Sequence, residues 1–158
     1  MNLNNIHNIY FIGIGGIGMS AIARYFNANG KQVGGYDKTK TDITDSLVDL
    51  GITVTFNDDI NNLEGRYLNP ETTLIVYTPA VPKNHTQLNY FLDNKFKVLK
   101  RSEILGLITE NSFCLAVAGT HGKTTTTSIL GHLLNECNVD LTAFLGGISE
   151  NYNSNLIL

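Results

Sequence analysis

A short run between Gly119 and Thr125, with the sequence GTHGKTT, has the residue types and spacing needed to bind the phosphates of a nucleotide. Gly119 and Gly122 allow the backbone to turn and to point its N–H groups at an anion. Lys123 can reach the β- and γ-phosphates, and the Thr124 hydroxyl can enter the coordination shell of Mg²⁺. We therefore assign catalysis to Lys123 and Thr124, and metal binding to Thr124 with Thr125 as a second candidate. The predicted ATP-binding residues are Gly119, Thr120, His121, Gly122, Lys123, Thr124 and Thr125.

The elements around this loop support the same interpretation. A short apolar run over residues 113–117 predicts a strand before the loop, and apolar residues at helical spacing from Ile129 to Leu134 predict a helix after it. The loop is shorter than the common ATP loop G-x-x-x-x-G-K-[ST], because the position of its first glycine is occupied by Val117. A simple turn with a solvated lysine is the alternative, but the strand-loop-helix order favours a nucleoside triphosphate.

A second glycine motif lies near the start of the chain. Gly13, Gly15 and Gly18 satisfy G-x-G-x-x-G, between a predicted strand over Asn8–Ile12 and a helix that ends at Gly30. A second predicted strand ends at Asp37, where a carboxylate can accept hydrogen bonds from a ribose or a base. This arrangement predicts a Rossmann-type site for a diphosphate, and it leaves an NAD(P)-binding oxidoreductase open as an alternative.

The pattern continues in alternating strands and helices, which predicts an α/β fold. A proline-containing loop from Thr78 to His85 follows the fourth predicted strand, where open α/β sheets hold their ligands, although a stiff connector is an equal alternative. The remaining predictions are a short helix closed by Gly51, which fits the spacing of Ile43, Leu47, Val48 and Leu50; strands at Ile52–Phe56, Thr72–Tyr77 and Phe96–Leu99; a helix at Thr86–Asn94 that buries Leu88, Phe91 and Leu92; and a helix capped by Ser102.

The predicted organisation is a Rossmann-like parallel-sheet domain over residues 1–108, followed by the start of a P-loop ATPase domain over residues 109–158. The boundary is placed at Thr109–Ser112, where the periodic pattern breaks. After the ATP loop we predict one helix, a strand over Leu141–Leu145 that ends at Gly146-Gly147, and an Asn-rich tail. These residues are too few to bury a separate core, and no carboxylate among them ends an apolar strand, where a second magnesium ligand would lie. We therefore expect an N-terminal piece of a longer enzyme that is inactive alone.

Composition excludes several classes of protein. The net charge is −3 and the 11 Lys and Arg residues are scattered, which gives no basis for nucleic-acid binding. The chain has no signal-like start and no long apolar run, so we expect a cytoplasmic protein without a membrane anchor. Cys114 and Cys137 are interpreted as reduced, partly buried thiols, and the four histidines lack the spacing of a zinc site.

The segment AGTHGKTTT resembles the ATP loop of the Mur ligases, the ADP-forming enzymes that add amino acids to UDP-N-acetylmuramic acid in cytoplasmic peptidoglycan synthesis. Four further features occur in the same order as in the alanine-adding branch of this family: GIGGIGMS, the acid at Asp37, the helix start LKRSEIL, and Gly146-Gly147. The branch that recycles murein tripeptide tends to have a different first glycine loop and is kept as an alternative.

The resemblance implies a mechanism and a second set of site residues. ATP would phosphorylate the lactyl carboxylate of UDP-N-acetylmuramate, and the amine of L-alanine would attack the resulting acyl phosphate. The first glycine loop would lie near the diphosphate, and Asp37 near the uridine. The residues implied to bind the UDP substrate are Gly15, Gly16, Ile17, Gly18, Met19, Asp37, Thr78, Ala80 and His85. A nucleotide-sensing module without chemistry of its own is a third hypothesis.

Overall fold

Five parallel strands form one sheet, in the order β3-β2-β1-β4-β5, in the computed structural model, which describes residues 5–110 and 112–158. Strands β1 and β4 are buried along almost their whole length, because both faces of the sheet are covered. The order matches the predicted Rossmann-like topology. The strands are β1 (Asn8–Ile12), β2 (Gln32–Tyr36), β3 (Thr53–Thr55), β4 (Thr73–Tyr77) and β5 (Lys97–Lys100).

Helices cover both faces of this sheet. Side chains alternate along β1, so that Phe11 packs in the cluster that includes α1, α2 and α4, whereas Tyr10 packs in the cluster that includes α3. Two short 3₁₀ turns, Ile60–Asn62 and Gly65–Leu68, complete the second face. The helices are α1 (Ile17–Ala28), α2 (Asp42–Asp49), α3 (Thr86–Asp93) and α4 (Arg101–Thr109).

The centre of the sheet contains a topological switch point. β1 pairs with β2 on one side and with β4 on the other, so the connections that leave β1 and β4 diverge at their carboxyl ends. In open α/β sheets this divergence creates the crevice in which ligands bind. Both the first glycine loop and the proline-containing loop begin at this point.

Two local predictions for the first domain were wrong. Leu92 is 55% exposed, because it lies on the outer side of the short helix α3. Ser102 does not cap α4. The helix instead begins at Arg101, and the Glu103 carboxylate accepts a hydrogen bond of 2.6 Å from the backbone N–H of Lys100.

The last part of the chain forms a helix and a hairpin. Helix α5 (Lys123–Glu136) packs on the antiparallel pair of β6 (Ala143–Ser149) and β7 (Ser154–Ile157), and this pair also contacts α1. The expected end of β6 at Gly146-Gly147 was wrong, since the strand continues past both glycines. The Asn-rich tail contains β7, in which the apolar residues Leu156 and Ile157 are buried.

The strand predicted before the ATP loop is not formed. Residues 113–117 have no regular structure, and Phe113 is 92% exposed, because no strand in the described ranges pairs with this segment. Cys114 and Cys137 are free and exposed, so their expected partial burial was wrong. Asn111, at the predicted domain boundary, lies outside the described residues.

Among the helices that the structure describes, none combines the length and the apolar character that a membrane crossing requires.

Candidate functional site

A cleft of about 800 Å³ opens at the carboxyl ends of β1 and β4. Its walls are the first glycine loop, the end of β2, the proline-containing loop and the start of α4. All nine residues predicted to bind the UDP substrate line this one cleft: Gly15, Gly16, Ile17, Gly18, Met19, Asp37, Thr78, Ala80 and His85. The fold therefore brings together residues from three separate parts of the sequence.

The glycine loop is held in place by Asp37. The backbone N–H of Gly15 donates a 2.7 Å hydrogen bond to Oδ2 of Asp37, and the N–H of Thr39 donates to Oδ1 of the same carboxylate. Gly13, at the start of the loop, has a φ of +88°, which favours glycine. Asp37 thus orders the loop, and the Gly15 amide is already paired with protein rather than pointed at the cleft.

Gly15 has no room for a side chain. A Cβ at this position would lie 2.9 Å from Oδ2 of Asp37 and 2.9 Å from Cγ2 of Thr44. We expect Gly15→Ala to lower the free energy of unfolding by about 1–3 kcal/mol, measured by urea denaturation. The control is Gly106→Ala in α4, where a Cβ meets nothing within 4 Å. This substitution should raise the free energy of unfolding by about 0.5–1 kcal/mol. An equal change in the free energy of unfolding for the two variants would contradict the close approach of Asp37 and Thr44 to Gly15.

The first turn of α1 supplies the amides that remain for an anion. Gly16 caps the helix in an extended conformation, and no described residue accepts a hydrogen bond from the N–H of Ile17 or Gly18. Arg101, at the start of α4, packs directly over Gly18, and a Cβ on that glycine would lie 3.2 Å from Cδ of Arg101. No hydrogen bond or ion pair joins the Arg101 side chain to any residue in the described ranges. Two free amides, a helix N-terminus and an unpaired guanidinium therefore converge on one side of the cleft.

His85 closes the opposite side of the cleft. Its side chain is 3% exposed, and its Nδ1 lies 3.2 Å from the N–H of Leu88 and 3.0 Å from Oδ1 of Asp58. The ring of Tyr36 packs edge-on at 4.6 Å between centroids. Burial lowers the pKa of His85, and the nearby Asp58 carboxylate only partly opposes this effect. The neutral ring caps α3 by accepting the hydrogen bond from Leu88.

The lowered pKa of His85 predicts a pH dependence of stability. In the unfolded chain His85 takes up a proton near pH 6.5, whereas in the folded chain it does so only at lower pH. The stabilisation that comes from the neutral, buried ring is therefore complete above pH 6.5 and is lost as the pH falls below that value. We expect the melting temperature to fall between pH 7 and pH 5, and to fall less in His85→Asn, whose amide oxygen can still cap α3. Identical pH profiles for the two proteins would contradict this assignment.

The predicted ATP loop lies exposed at the start of α5. Gly119 and Gly122 have φ values of +151° and +76°, and Gly122 caps the helix. Nζ of Lys123 folds back across the loop and donates to the carbonyl of Gly119 at 2.5 Å and to that of Thr120 at 3.2 Å. The ammonium group therefore lies at the mouth of a loop whose helix N-terminus also favours an anion.

The two glycine loops are connected through the β6-β7 hairpin. A Cβ at Gly146 in β6 would lie 2.7 Å from Oγ1 of Thr124, so the hairpin touches the first turn of α5. The same strand helps to line a smaller cavity of about 360 Å³ that shares Ile17, Gly18 and Arg101 with the main cleft. The two predicted anion sites are thus neighbours in one structure.

Sequence reasoning missed several residues of the cleft. Arg101 was noted only as part of LKRSEIL, and its proximity to Gly18 depends on tertiary packing that local patterns do not reveal. Asp58 lies between two predicted strands and was not among the predicted site residues, but its carboxylate accepts hydrogen bonds from the N–H groups of Thr86 and Gln87 at the start of α3. The other unpredicted lining residues are Gly13, Tyr36, Lys38, Val81, Pro82 and Asn84.

The fold and the site together define an α/β protein in which a Rossmann-like sheet with a cleft at its carboxyl edge is followed by a second glycine loop at the start of a helix. A family model described as "Mur ligase family, catalytic domain" matches residues 8–112. The chain belongs to the Mur ligase family. This assignment confirms the resemblance inferred from the two glycine motifs, and it gives no support to the oxidoreductase alternative.

Relatives of known name agree with the family assignment. The chain is 62% identical over 157 residues to the UDP-N-acetylmuramate--L-alanine ligase of Flavobacterium psychrophilum, a match that covers 99% of this chain and 35% of the relative. It is 53% identical to the ligase of the same name from Parabacteroides distasonis, with coverage of 100% and 34%. The chain thus spans about a third of the length of these curated relatives.

Solved structures show the same fold. The UDP-N-acetylmuramate-alanine ligase of Thermotoga maritima superposes with a TM-score of 0.83 at 33% identity, covering 94% of this chain and 34% of that one. A UDP-N-acetylmuramate:L-alanyl-gamma-D-glutamyl-meso-diaminopimelate ligase from Neisseria meningitides also gives a TM-score of 0.83, at 27% identity, with coverage of 96% and 46%. The described arrangement of sheet, loop and hairpin therefore occurs in both kinds of ligase.

Proposed function

We propose that this chain is the N-terminal part of a cytoplasmic, ATP-dependent and ADP-forming ligase that joins L-alanine to the lactyl carboxylate of UDP-N-acetylmuramate in peptidoglycan synthesis. Residues 1–108 would bind the UDP part of the substrate, and residues 109–158 would begin the ATP-binding domain. The observation that carries the proposal is the convergence of all nine predicted UDP-site residues on one cleft beside a second, separate phosphate loop.

Within the cleft, some residues would bind the diphosphate and others would order the glycine loop or shape the wall. The N–H groups of Ile17 and Gly18 and the guanidinium of Arg101 would bind the diphosphate, since they are unpaired donors at a helix N-terminus. Asp37 would order the loop through Gly15 and leave its remaining acceptor capacity for the uridine. Thr78, Ala80 and His85 would shape the opposite wall.

At the second loop, catalysis would consist of positioning and charge neutralisation. Lys123 would leave the carbonyls of its own loop and bind the β- and γ-phosphates of ATP, which would be cradled by the amides of Gly119 to Thr125. The Thr124 hydroxyl is exposed and fits one position in a Mg²⁺ shell, where the ion would screen phosphate charge. Thr124 is therefore the proposed magnesium ligand of this chain, with Thr125 as a second candidate.

Calorimetric titration with UDP-N-acetylmuramate and with NADH tests the proposal. We expect binding heat with the UDP sugar and none with the pyridine nucleotide. Both ligands carry a diphosphate that Arg101 and the free amides could bind, so the difference would report recognition of the uridine and the sugar. Tight ATP binding by these 158 residues alone would instead favour the nucleotide-sensing module. Heat with NADH alone would overturn the ligase proposal.

The recycling branch of the family is the second candidate, because its Neisseria structure matches the fold as well as the alanine ligase does. The higher identities to alanine ligases favour the biosynthetic reaction. Phosphate release by the full-length protein, measured with L-alanine and separately with the tripeptide L-alanyl-γ-D-glutamyl-meso-diaminopimelate, separates the two. Release with the tripeptide alone would assign the recycling reaction.

A further inference from the structure

Asn155, in β7, is a fully buried polar residue that joins the C-terminal hairpin to the first turn of α1. Its Nδ2 donates hydrogen bonds to the carbonyl of Ile17 at 2.6 Å and to Oγ of Ser20 at 2.8 Å. These partners lie 138 and 135 residues away in the sequence. Because the Ile17 carbonyl can only accept, the group that faces it must be the NH₂ end of the Asn155 side chain.

The contact is costly for a residue that serves only packing. Oδ1 of Asn155 is buried and has no hydrogen-bond partner in the part of the chain that the structure describes. A buried and unpaired amide oxygen is unfavourable, and an apolar side chain of similar size would avoid that penalty. The amide is therefore explained better by what its NH₂ group orients than by stability alone.

The group that it orients is the peptide between Ile17 and Gly18. A peptide unit is planar, so the carbonyl of Ile17 and the N–H of Gly18 lie in one rigid plane and point in opposite directions. A hydrogen bond that fixes the carbonyl also fixes the direction of the N–H, and it polarises that N–H as a donor. The Gly18 N–H is one of the two free amides at the cleft, beside Arg101.

We propose that Asn155 is a positioning residue of the diphosphate site: it holds and polarises the Gly18 amide through the Ile17 carbonyl. The inference rests on the proposed function, since it assumes that the cleft binds a uridine diphosphate group. It also gives the β6-β7 hairpin a role in both sites, because Gly146 of the same hairpin contacts Thr124 beside the ATP loop. A residue from the second half of the chain thereby completes the binding site of the first.

Calorimetry on the full-length ligase with two probes, UDP and uridine, tests the role of Asn155. Asn155→Leu keeps the branched side chain of four heavy atoms and removes the donor; we expect it to weaken UDP binding about 10-fold and to leave uridine binding within twofold of wild type. The KM for the UDP sugar should rise similarly while the KM for ATP changes little. The matched control is Asn135→Leu, because the Asn135 amide donates to the Tyr152 hydroxyl between β6 and β7 and makes no hydrogen bond to the Ile17 carbonyl; it should bind UDP within twofold of wild type.

The outcomes separate this role from a purely structural one. Equal loss of UDP and uridine affinity, or no loss of either, would overturn the positioning role. If Asn155→Leu does not fold, Asn155→Ser, which is too short to reach the Ile17 carbonyl, is measured in its place with the same expected difference between the probes. A wild-type enzyme that binds no UDP would overturn the proposed function together with this inference, whereas normal UDP binding by a folded variant would overturn this inference alone.

Discussion

Replacing Lys123 by alanine in the full-length ligase is expected to lower the rate of alanine-dependent phosphate release by at least 100-fold. The ammonium group lies against the carbonyls of Gly119 and Thr120, at the mouth of the loop where the phosphates would bind. Loss of one preorganised donor to a developing phosphate charge costs about 10²–10³ in rate. The measurement is steady-state phosphate release at saturating UDP-N-acetylmuramate and L-alanine.

The same variant should bind UDP-N-acetylmuramate with unchanged affinity, because the two ligands belong to different glycine loops. Lys40→Ala is a suitable control, since Lys40 forms only an exposed ion pair with Asp45 and lines neither cavity. A large loss of sugar affinity in Lys123→Ala would contradict the division of labour between the two loops. An unchanged rate of phosphate release would remove Lys123 from the catalytic site.

Arg101→Ala is expected to weaken binding of the UDP substrate by about 10- to 100-fold, the range given by loss of a charge-assisted hydrogen bond. The guanidinium packs over Gly18 without a protein partner, so its charge adds to that of the α1 N-terminus and attracts an anion. The affinity is measured by calorimetry at two salt concentrations. The difference between wild type and variant should shrink at high salt, because Arg101 is exposed and its charge is screened.

Arg66→Ala provides the matched control for this experiment. Arg66 is also an exposed arginine, but it pairs with Glu64 and with Gln32 at the amino end of β2, and it does not line the cleft. We expect its affinity for the UDP substrate to equal that of wild type. If Arg66→Ala and Arg101→Ala weaken binding equally, the effect reflects net charge and Arg101 is not a ligand of the diphosphate.

The sequence was sufficient to predict the central strands and the location of the cleft. The bounds predicted for β1 match the structure, because a strand buried on both faces is a continuous apolar run between polar turns. The cleft residues come together because the carboxyl ends of parallel strands share one edge of a sheet. From that rule alone, the glycine-rich loop and the proline-containing loop are predicted to lie side by side, although they are far apart in the sequence and their side-chain contacts are unknown.

The errors concern contacts that depend on tertiary structure. Periodicity assigns a helical face from residue type alone, and it therefore placed Leu92 in the core although its position on α3 faces solvent. Arg101 and Asn155 both act on the first turn of α1, yet they lie more than 80 residues away in the sequence, and local patterns contain no signal for such a contact. A sequence motif also does not show which of its amides, such as that of Gly15, is already hydrogen-bonded within the protein.

The unpaired segment over residues 113–117 has a practical consequence for work with this chain. It exposes Phe113 and Leu115, at 92% and 57%, in a stretch without charge or proline. Extended apolar segments with free backbone groups are templates for intermolecular β-pairing. Preparations of the isolated 158 residues should therefore associate as their concentration rises, and a lysine in place of Leu115 should improve their solubility without disturbing the cleft.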